Sequence, residues 1–234
     1  MRIAIIGYGK MGHMIEAVAR ERGHEIVCTI DQCNPDAWES PELITANVAI
    51  EFSTPATAEQ NIRRAWAKGL TVVSGTTGWD VETLRDERLA LREVENGKLL
   101  VDSNGRPLLF WSSNFSVGVN LFFRLNEWLA HEMATLPQYT PAITETHHIH
   151  KLDKPSGTAK TLAEQIIANG QCQCPIESIR EGEVPGIHEV KWDSDEDTLI
   201  ITHIAKGRRG FALGAVMAAE KLIVLISAKP RTIG

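Results

Sequence analysis

The stretch RIAIIGYGKMGHMIEAVA, at the start of the chain, restricts the possible folds more than any other. Residues 2–6 form a continuous apolar run, the pattern of a strand covered on both faces. Met11, Met14, Ile15, Val18 and Ala19 then recur at helical spacing, so a helix follows at once and Gly23 ends it. HEIVCTI reads as a second strand with Asp31 at its end. Between the first strand and the helix stand Gly7, Gly9 and Gly12 in the order G-x-G-x-x-G, interleaved with Tyr8, Lys10 and Met11. The first glycine permits the tight turn, the second lets backbone approach a pyrophosphate, and the third lets helix and strand pack closely. The helix start adds free N–H groups and the positive end of a dipole. Asp31 follows Gly12 by 19 residues, where a carboxylate accepts hydrogen bonds from ribose hydroxyls. Strand, turn, helix and acid together point to a dinucleotide site.

The alternation continues. VAIEF (48–52) is a strand, and Ser53, Thr54 and Pro55 supply a hydroxyl cap and a proline for a helix start. LTVVSGTTG (70–78) is a strand ending in a Gly-Thr-Thr turn. The spacing predicts a helix around Val81 to Val94, and RPLLFWSSNF (106–115) is a further strand. Open parallel sheets bind ligands at the carboxyl ends of their strands. Gly75, Thr76 and Thr77, and the turn Ser112, Ser113, Asn114 and Phe115, are therefore placed at the cofactor crevice.

The second half has another rhythm. A long helix is predicted over about 117–135, then the strand PAITETHH, then the helix TAKTLAEQIIANG with Ala159, Leu162, Ala163, Ile166 and Ile167 on one face. ESIRE, HEVKWD and TLIITHIA alternate in polarity, as in a sheet with one solvated or partner-covered face. The last helix, Phe211 to Ile226, is apolar on most sides and is predicted to be buried, returning to the first domain. The expected class is α/β: a Rossmann-type doubly wound parallel sheet from residues 1–117 and 209–234. A second α+β domain with an open mixed sheet spans 118–208.

Composition excludes other classes. The net charge of −6 argues against nucleic acid as a partner. The longest apolar stretch, FALGAVMAAEKLIVLISA, is interrupted by Glu220 and Lys221, which a span of about 20 apolar residues does not tolerate at its centre. No membrane association is expected, and a cytoplasmic location is. The four cysteines contain no C-x-x-C pair and are expected to be reduced thiols.

ETHHIHKLDKPSGTAK (145–160) is the most unusual segment. It is no Walker loop, because Lys160 lacks the preceding glycine. His148 and His150 would share a strand face, but no neighbouring carboxylate or thiol set completes a metal site, so no metal is expected. Ser156, Gly157 and Thr158 precede a helix and offer N–H groups to a carboxylate. Lys151 and the adjacent histidines offer positive charge and a transferable proton. Combined with a nicotinamide site, this describes reduction of a small acidic substrate. Two other readings stand beside it: a non-catalytic sensor of NAD(H), and an oxidoreductase for a different amino-acid-like substrate.

The same segment closely resembles the E-x-H-H-x-x-K-x-D-A-P-S-G-T-A signature of the dihydrodipicolinate reductases of the lysine and diaminopimelate pathway. GYGKMG, EFSTP, SGTTG, SSNFSVGVN and ITHIAKGRRGFALGA agree in order over nearly the whole chain. The resemblance implies reduction of a cyclic unsaturated dicarboxylate, derived from 4-hydroxy-tetrahydrodipicolinate, to tetrahydrodipicolinate with NADH or NADPH. It implies His147 as proton donor or acceptor, Lys151 as second donor, and His148, Ser156, Gly157 and Thr158 as substrate contacts. Gly7 to Gly12, Asp31, Gly75 to Thr77 and Ser112 to Phe115 map to the cofactor. It also implies a homotetramer built through the second sheet. Lys154 stands where the family pattern has alanine. Gln32 stands where some members carry an arginine that helps hold the NADPH phosphate, so NADH is expected to serve at least as well.

Overall fold

The structure, a computed structural model, describes residues 1–85, 89–94 and 97–227. The chain divides into two units, Met1–Ser116 with the segment from Arg209 onward, and Val117–Arg208.

In the first unit, β1 (Arg2–Ile6) leads into α1 (Lys10–Glu21) and β2 (Glu25–Ile30). β3 (Val48–Glu51), α2 (Pro55–Ala67), β4 (Thr71–Ser74), β5 (Leu89–Val94), β6 (Gly97–Asp102) and β7 (Pro107–Trp111) follow. They build a seven-stranded sheet in the order β2-β1-β3-β4-β7-β6-β5. β1 to β4 and β7 run parallel, and β6 and β5 add an antiparallel edge. The central strands are buried throughout, which explains their unbroken apolar sequence: Ile3, Ala4, Ile5, Val48, Ala49, Ile50, Val72 and Val73 are all fully inaccessible. Burying each such isoleucine contributes roughly 1.5–3 kcal/mol, and Ile5→Ala would cost about 2–5 kcal/mol.

The helix predicted over Val81 to Val94 does not form. A short 3₁₀ turn covers Val81–Leu84, residues 86–88 lie outside the described residues, and Leu89–Val94 is the strand β5. β5 pairs antiparallel with β6 from Leu89↔Asp102 to Val94↔Gly97, and β6 pairs in turn with β7. The apolar residues here satisfy either period, and the hydrogen-bonding edge offered by β6 decides for strand.

The second unit contains α3 (Val117–Met133), β8 (Thr140–His147), α4 (Gly157–Ala168), β9 (Ile176–Arg180), β10 (Ile187–Asp193) and β11 (Thr198–Ile204). Its sheet has the order β11-β10-β8-β9, with β8 and β9 parallel and the other pairs antiparallel. α3 and α4 pack on one face around Phe122, Leu129, Ile143, Leu162, Ile166, Val190 and Trp192.

The chain ends in α5 (Arg209–Ser227), which packs on α1 and the sheet of the first unit through Ala212, Ala215, Val216, Ala219 and Leu222. The expectation of burial holds for this face only, since Val224 and Leu225 are exposed. By length and composition α5 could pass for a membrane span. It instead packs one face against the core of this unit, and its Glu220 pairs with Arg22 and His24 at 2.7 Å each.

Candidate functional site

In the first unit the glycine turn is shaped by contact. Gly7 has φ +92°, and a Cβ there would lie 2.0 Å from the Phe52 carbonyl oxygen; one on Gly12 would lie 2.4 Å from the Gly7 oxygen. Neither position accepts a side chain. Gly9, in contrast, has open space around it, and no side chain caps the start of α1. The first-turn N–H groups are thus left to a ligand. Tyr8 packs against His13 and donates to Glu16, while Lys10 is exposed at the helix start and Met11 is half-buried. Asp31 directly follows β2; its Oδ1 accepts from the Cys33 N–H at 2.7 Å and its N–H donates to Asn34 Oδ1. These residues fit a dinucleotide: a cradle without side chains, unfilled donors and a fixed carboxylate at the neighbouring strand end.

The other strand ends are tied together by a residue that sequence reasoning passed over. Glu51, the last residue of β3, is fully buried. It accepts from Ser74 Oγ at 2.6 Å, Thr76 Oγ1 at 2.9 Å and the Ser53 N–H at 3.0 Å, and also from Ser53 Oγ. Thr76 is held further by indole donors from Trp79 and Trp111 to its carbonyl. Gly75 is pressed against the Phe52 ring, and Thr77 is exposed beyond it. Ser112 donates to the Asn114 carbonyl and receives its N–H, while Phe115 packs against Phe52 and Phe110. Ser113 is exposed. The structure therefore gathers Gly75, Thr76 and the Ser112 to Phe115 turn at neighbouring strand ends, since β7 follows β4 in the sheet.

In the second unit the sheet register assembles a polar row. Glu145 of β8 stands opposite His188 of β10 on one side and Ser178 of β9 on the other, and His188 stands opposite His203 of β11. Two residues along, on the same face, His147 stands opposite Arg180. Glu145 is fully buried and both its oxygens accept from the Ser156 N–H, at 3.0 and 3.2 Å. Ser156 also caps α4, its Oγ accepting from the Ala159 N–H at 3.2 Å. Gly157 has open space where a Cβ would be, so a ligand carboxylate could approach the helix head closely. Thr158, one residue on, is half-buried.

The loop between β8 and α4 is clasped from β9. Arg180 donates through Nε to the Lys151 carbonyl at 3.2 Å and through Nη2 to the Asp153 carbonyl at 2.5 Å. Lys151 Nζ lies 2.7 Å from Asp153. His148 is half-buried with its Nδ1 lacking a hydrogen-bond partner, while His150 and Lys154 are exposed.

Burial sets the charge states. It pushes the His147 imidazole below its ordinary range, partly countered by Glu145. It pushes His188 down to about 4. Burial opposes ionisation of Glu145, but the bonds from Ser156 and Ser178 outweigh it and hold the carboxyl below the usual range.

Spacing singled out His148 and His150, yet the histidines that meet the buried Glu145 are His147 and His188, while His150 meets the exposed Glu183 at 3.1 Å. Potential ligand atoms of Glu145, His147 and His188 lie within 4.8 Å of one another. Both carboxylate oxygens are already engaged by Ser156, and the Arg180 guanidinium stands 3.5 Å away. A cation would have to displace the first and withstand the second, so the cluster reads as a hydrogen-bonded charge network. Glu145 had a signal in the sequence, since two residues before His147 on a strand is the same face. Arg180 and His188 had none, because only the register brings them there.

Two family models cover the chain. "Dihydrodipicolinate reductase, N-terminus" matches residues 1–96 and "Dihydrodipicolinate reductase, C-terminus" matches residues 118–233. The 4-hydroxy-tetrahydrodipicolinate reductase of Christiangramia forsetii is 43% identical over 236 residues, 95% of this chain and 92% of that protein. The reductase of the same name from Natronomonas pharaonis is 32% identical, covering 95% and 94%. A dipicolinate-bound dihydrodipicolinate reductase from Paenisporosarcina sp. TG-14 has the same fold, with a TM-score of 0.71 at 20% identity over 96% of this chain and 95% of that one. Matched in sequence along nearly its whole length and in fold, the chain belongs to the dihydrodipicolinate reductase family.

Proposed function

We propose that this chain catalyses the NAD(P)H-dependent reduction of the dihydrodipicolinate-type intermediate, derived from 4-hydroxy-tetrahydrodipicolinate, to tetrahydrodipicolinate. The observation that carries this reading is the second unit's site: His147 ends β8, Lys151 lies in the loop beyond it, and the Ser156–Gly157–Thr158 helix head stands open beside Glu145. A dinucleotide sensor has no use for such a site.

The residues divide the work. The N–H groups at the head of α4, the Thr158 hydroxyl and His148 receive the substrate carboxylates. Lys151 adds positive charge and a proton, and His147 donates or accepts a proton. In the first unit the Gly7–Gly12 turn, with Tyr8, Gly9, Lys10 and Met11, receives the pyrophosphate, and Asp31 receives a ribose hydroxyl. Gly75, Thr76, Thr77 and Ser112 to Phe115 line the nicotinamide end. Bound reduced nicotinamide supplies the hydride. NADH is at least as good as NADPH, because Asp31 repels a 2′-phosphate and Gln32 brings no compensating charge. The exposed apolar side chains Ile200 and Ile204 of β11 support assembly as a homotetramer through the second sheet, and four unpaired cysteines suit a reducing cytoplasm.

The test is oxidation of NADH by the purified protein, with substrate generated in place from pyruvate and aspartate semialdehyde. Substrate-dependent loss of absorbance is expected. Binding of NADH without turnover would transfer the reading to a sensor.

A further inference from the structure

The mechanism above gives no task to Glu145, a fully buried carboxylate two residues before His147 on the same face of β8. Such a charge is costly unless paired and hydrogen-bonded. Here it is surrounded: the Ser156 N–H donates to both oxygens, Arg180 lies at 3.5 Å, His147 Nδ1 at 3.5 Å and His188 Nε2 at 3.8 Å.

His147 is held in turn. Its Nδ1 is buried and makes no hydrogen bond, and the nearest acceptor it faces is the Glu145 carboxylate, 3.5 Å away. The His188 ring packs edge-on at 4.9 Å. On the far side lies Gly186, with φ +154°, where a Cβ would sit 3.2 Å from His147 Nε2. The ring is bracketed between a carboxylate at one nitrogen and a glycine at the other. The same carboxylate grips the residue that caps α4.

We propose that Glu145 is a positioning residue for the reduction: it selects the Nδ1–H form of His147, leaving Nε2 to exchange the proton, and it moors Ser156 and hence the anion-binding head of α4. The kinetic part rests on the reading of His147 as a proton-transfer group. The ring's tautomer and titration do not, and can be read in the ligand-free protein.

The groups acting on the His147 ring are Glu145 on its own strand, Arg180 on β9, His188 on β10, and Lys151 and Asp153 in the loop. His203 on β11 acts on His188. Lys151 and Arg180 favour the neutral ring, whereas Glu145 and Asp153 favour the charged one. Removing the Glu145 charge must therefore move the His147 titration to lower pH.

The experiment follows the ring ¹⁵N resonances of His147 through a pH titration in ligand-free wild type, Glu145→Gln and Glu145→Asp, with kcat profiles alongside. In wild type the neutral ring is expected to carry its proton on Nδ1. In Glu145→Gln the titration should move to lower pH and kcat should fall by about 10–100-fold, the size typical of partners that orient a functional histidine, with NADH affinity unchanged. Glu145→Asp keeps the charge and should leave the titration nearer wild type. A wild-type ring protonated on Nε2, or a Glu145→Gln titration unmoved despite lost activity, would overturn the proposal. If Glu145→Gln does not fold, the wild-type tautomer still decides. A moved titration with unchanged kcat upholds the hold of Glu145 on the ring and removes His147 from the chemistry instead.

Discussion

At the scale of single residues, the chemistry turns on a few side chains whose effects can be separated. Lys151 is proposed to supply a proton, a contribution worth about 10²–10⁴-fold in rate. Lys151→Ala should lower kcat by that order and raise the substrate KM as well, while Thr158→Ala should mainly raise KM, since it loses a ground-state carboxylate contact. Steady-state kinetics on both variants check the split, and a Lys151→Ala enzyme with near-normal kcat would remove the assignment. His147 differs from Lys151, which lies in the loop beyond β8. It is buried at the end of a strand, not exposed in a loop, so its truncation would leave Glu145 facing a cavity. Burial also makes the protein acid-sensitive. The His188 value of about 4 lies below the ordinary 6.5, so the unfolded chain takes up that proton first as pH falls. Its contribution is complete above about 6.5 and is lost toward 4, amounting to roughly 3 kcal/mol. His147 is shifted in the same direction. Glu145, held below the usual carboxylate range, contributes stability above its unfolded value that is lost as pH falls through the folded one. Urea midpoints measured from about pH 7.5 down to 4.5 should fall through this window, and a flat profile would contradict it. Asp31 gives a third expectation: kcat/KM with NADH should equal or exceed that with NADPH. A strong NADPH preference would point to Lys10 as the phosphate contact.

At the scale of elements, strand ends are joined by buried acids. Glu51 closes β3 and accepts from Ser53, Ser74 and Thr76, tying β3 to β4. A buried donor left without its acceptor costs about 1–3 kcal/mol. Glu51→Ala would leave the Ser74 and Thr76 hydroxyls without their acceptor, so a loss of several kcal/mol is expected in denaturant unfolding. The KM for NADH should rise while that for substrate stays close to wild type, because the disturbed turns carry the proposed cofactor residues. Equal changes in both would deny Glu51 this local role. Element type was legible wherever one period dominated, as in the runs of β1, β3 and β4 and the apolar faces of α1 and α4. It failed at Leu89–Val94, where a mixed pattern became a strand because β6 supplied hydrogen-bond partners.

At the scale of the whole molecule, the second sheet leaves Ile200 and Ile204 of β11 and Ile179 of β9 exposed on a single chain. Burying each such side chain is worth roughly 1.5–3 kcal/mol, which favours association. Light scattering should give the mass of four chains, and Ile200→Lys with Ile204→Lys should lower it. A wild-type monomer would refute the proposed assembly. The sequence by itself determined the glycine turn, the strand–helix alternation, Asp31 and the His147–Lys151–Ser156 segment, because each rests on local periodicity or on residues adjacent in the chain. Only the tertiary structure decided that Glu145 meets His188 and Ser178, that His147 meets Arg180, and that Glu51 meets Ser74 and Thr76. Those partners lie on different strands, and a register is set by the packing of whole sheets, which leaves no mark in the spacing of any one segment.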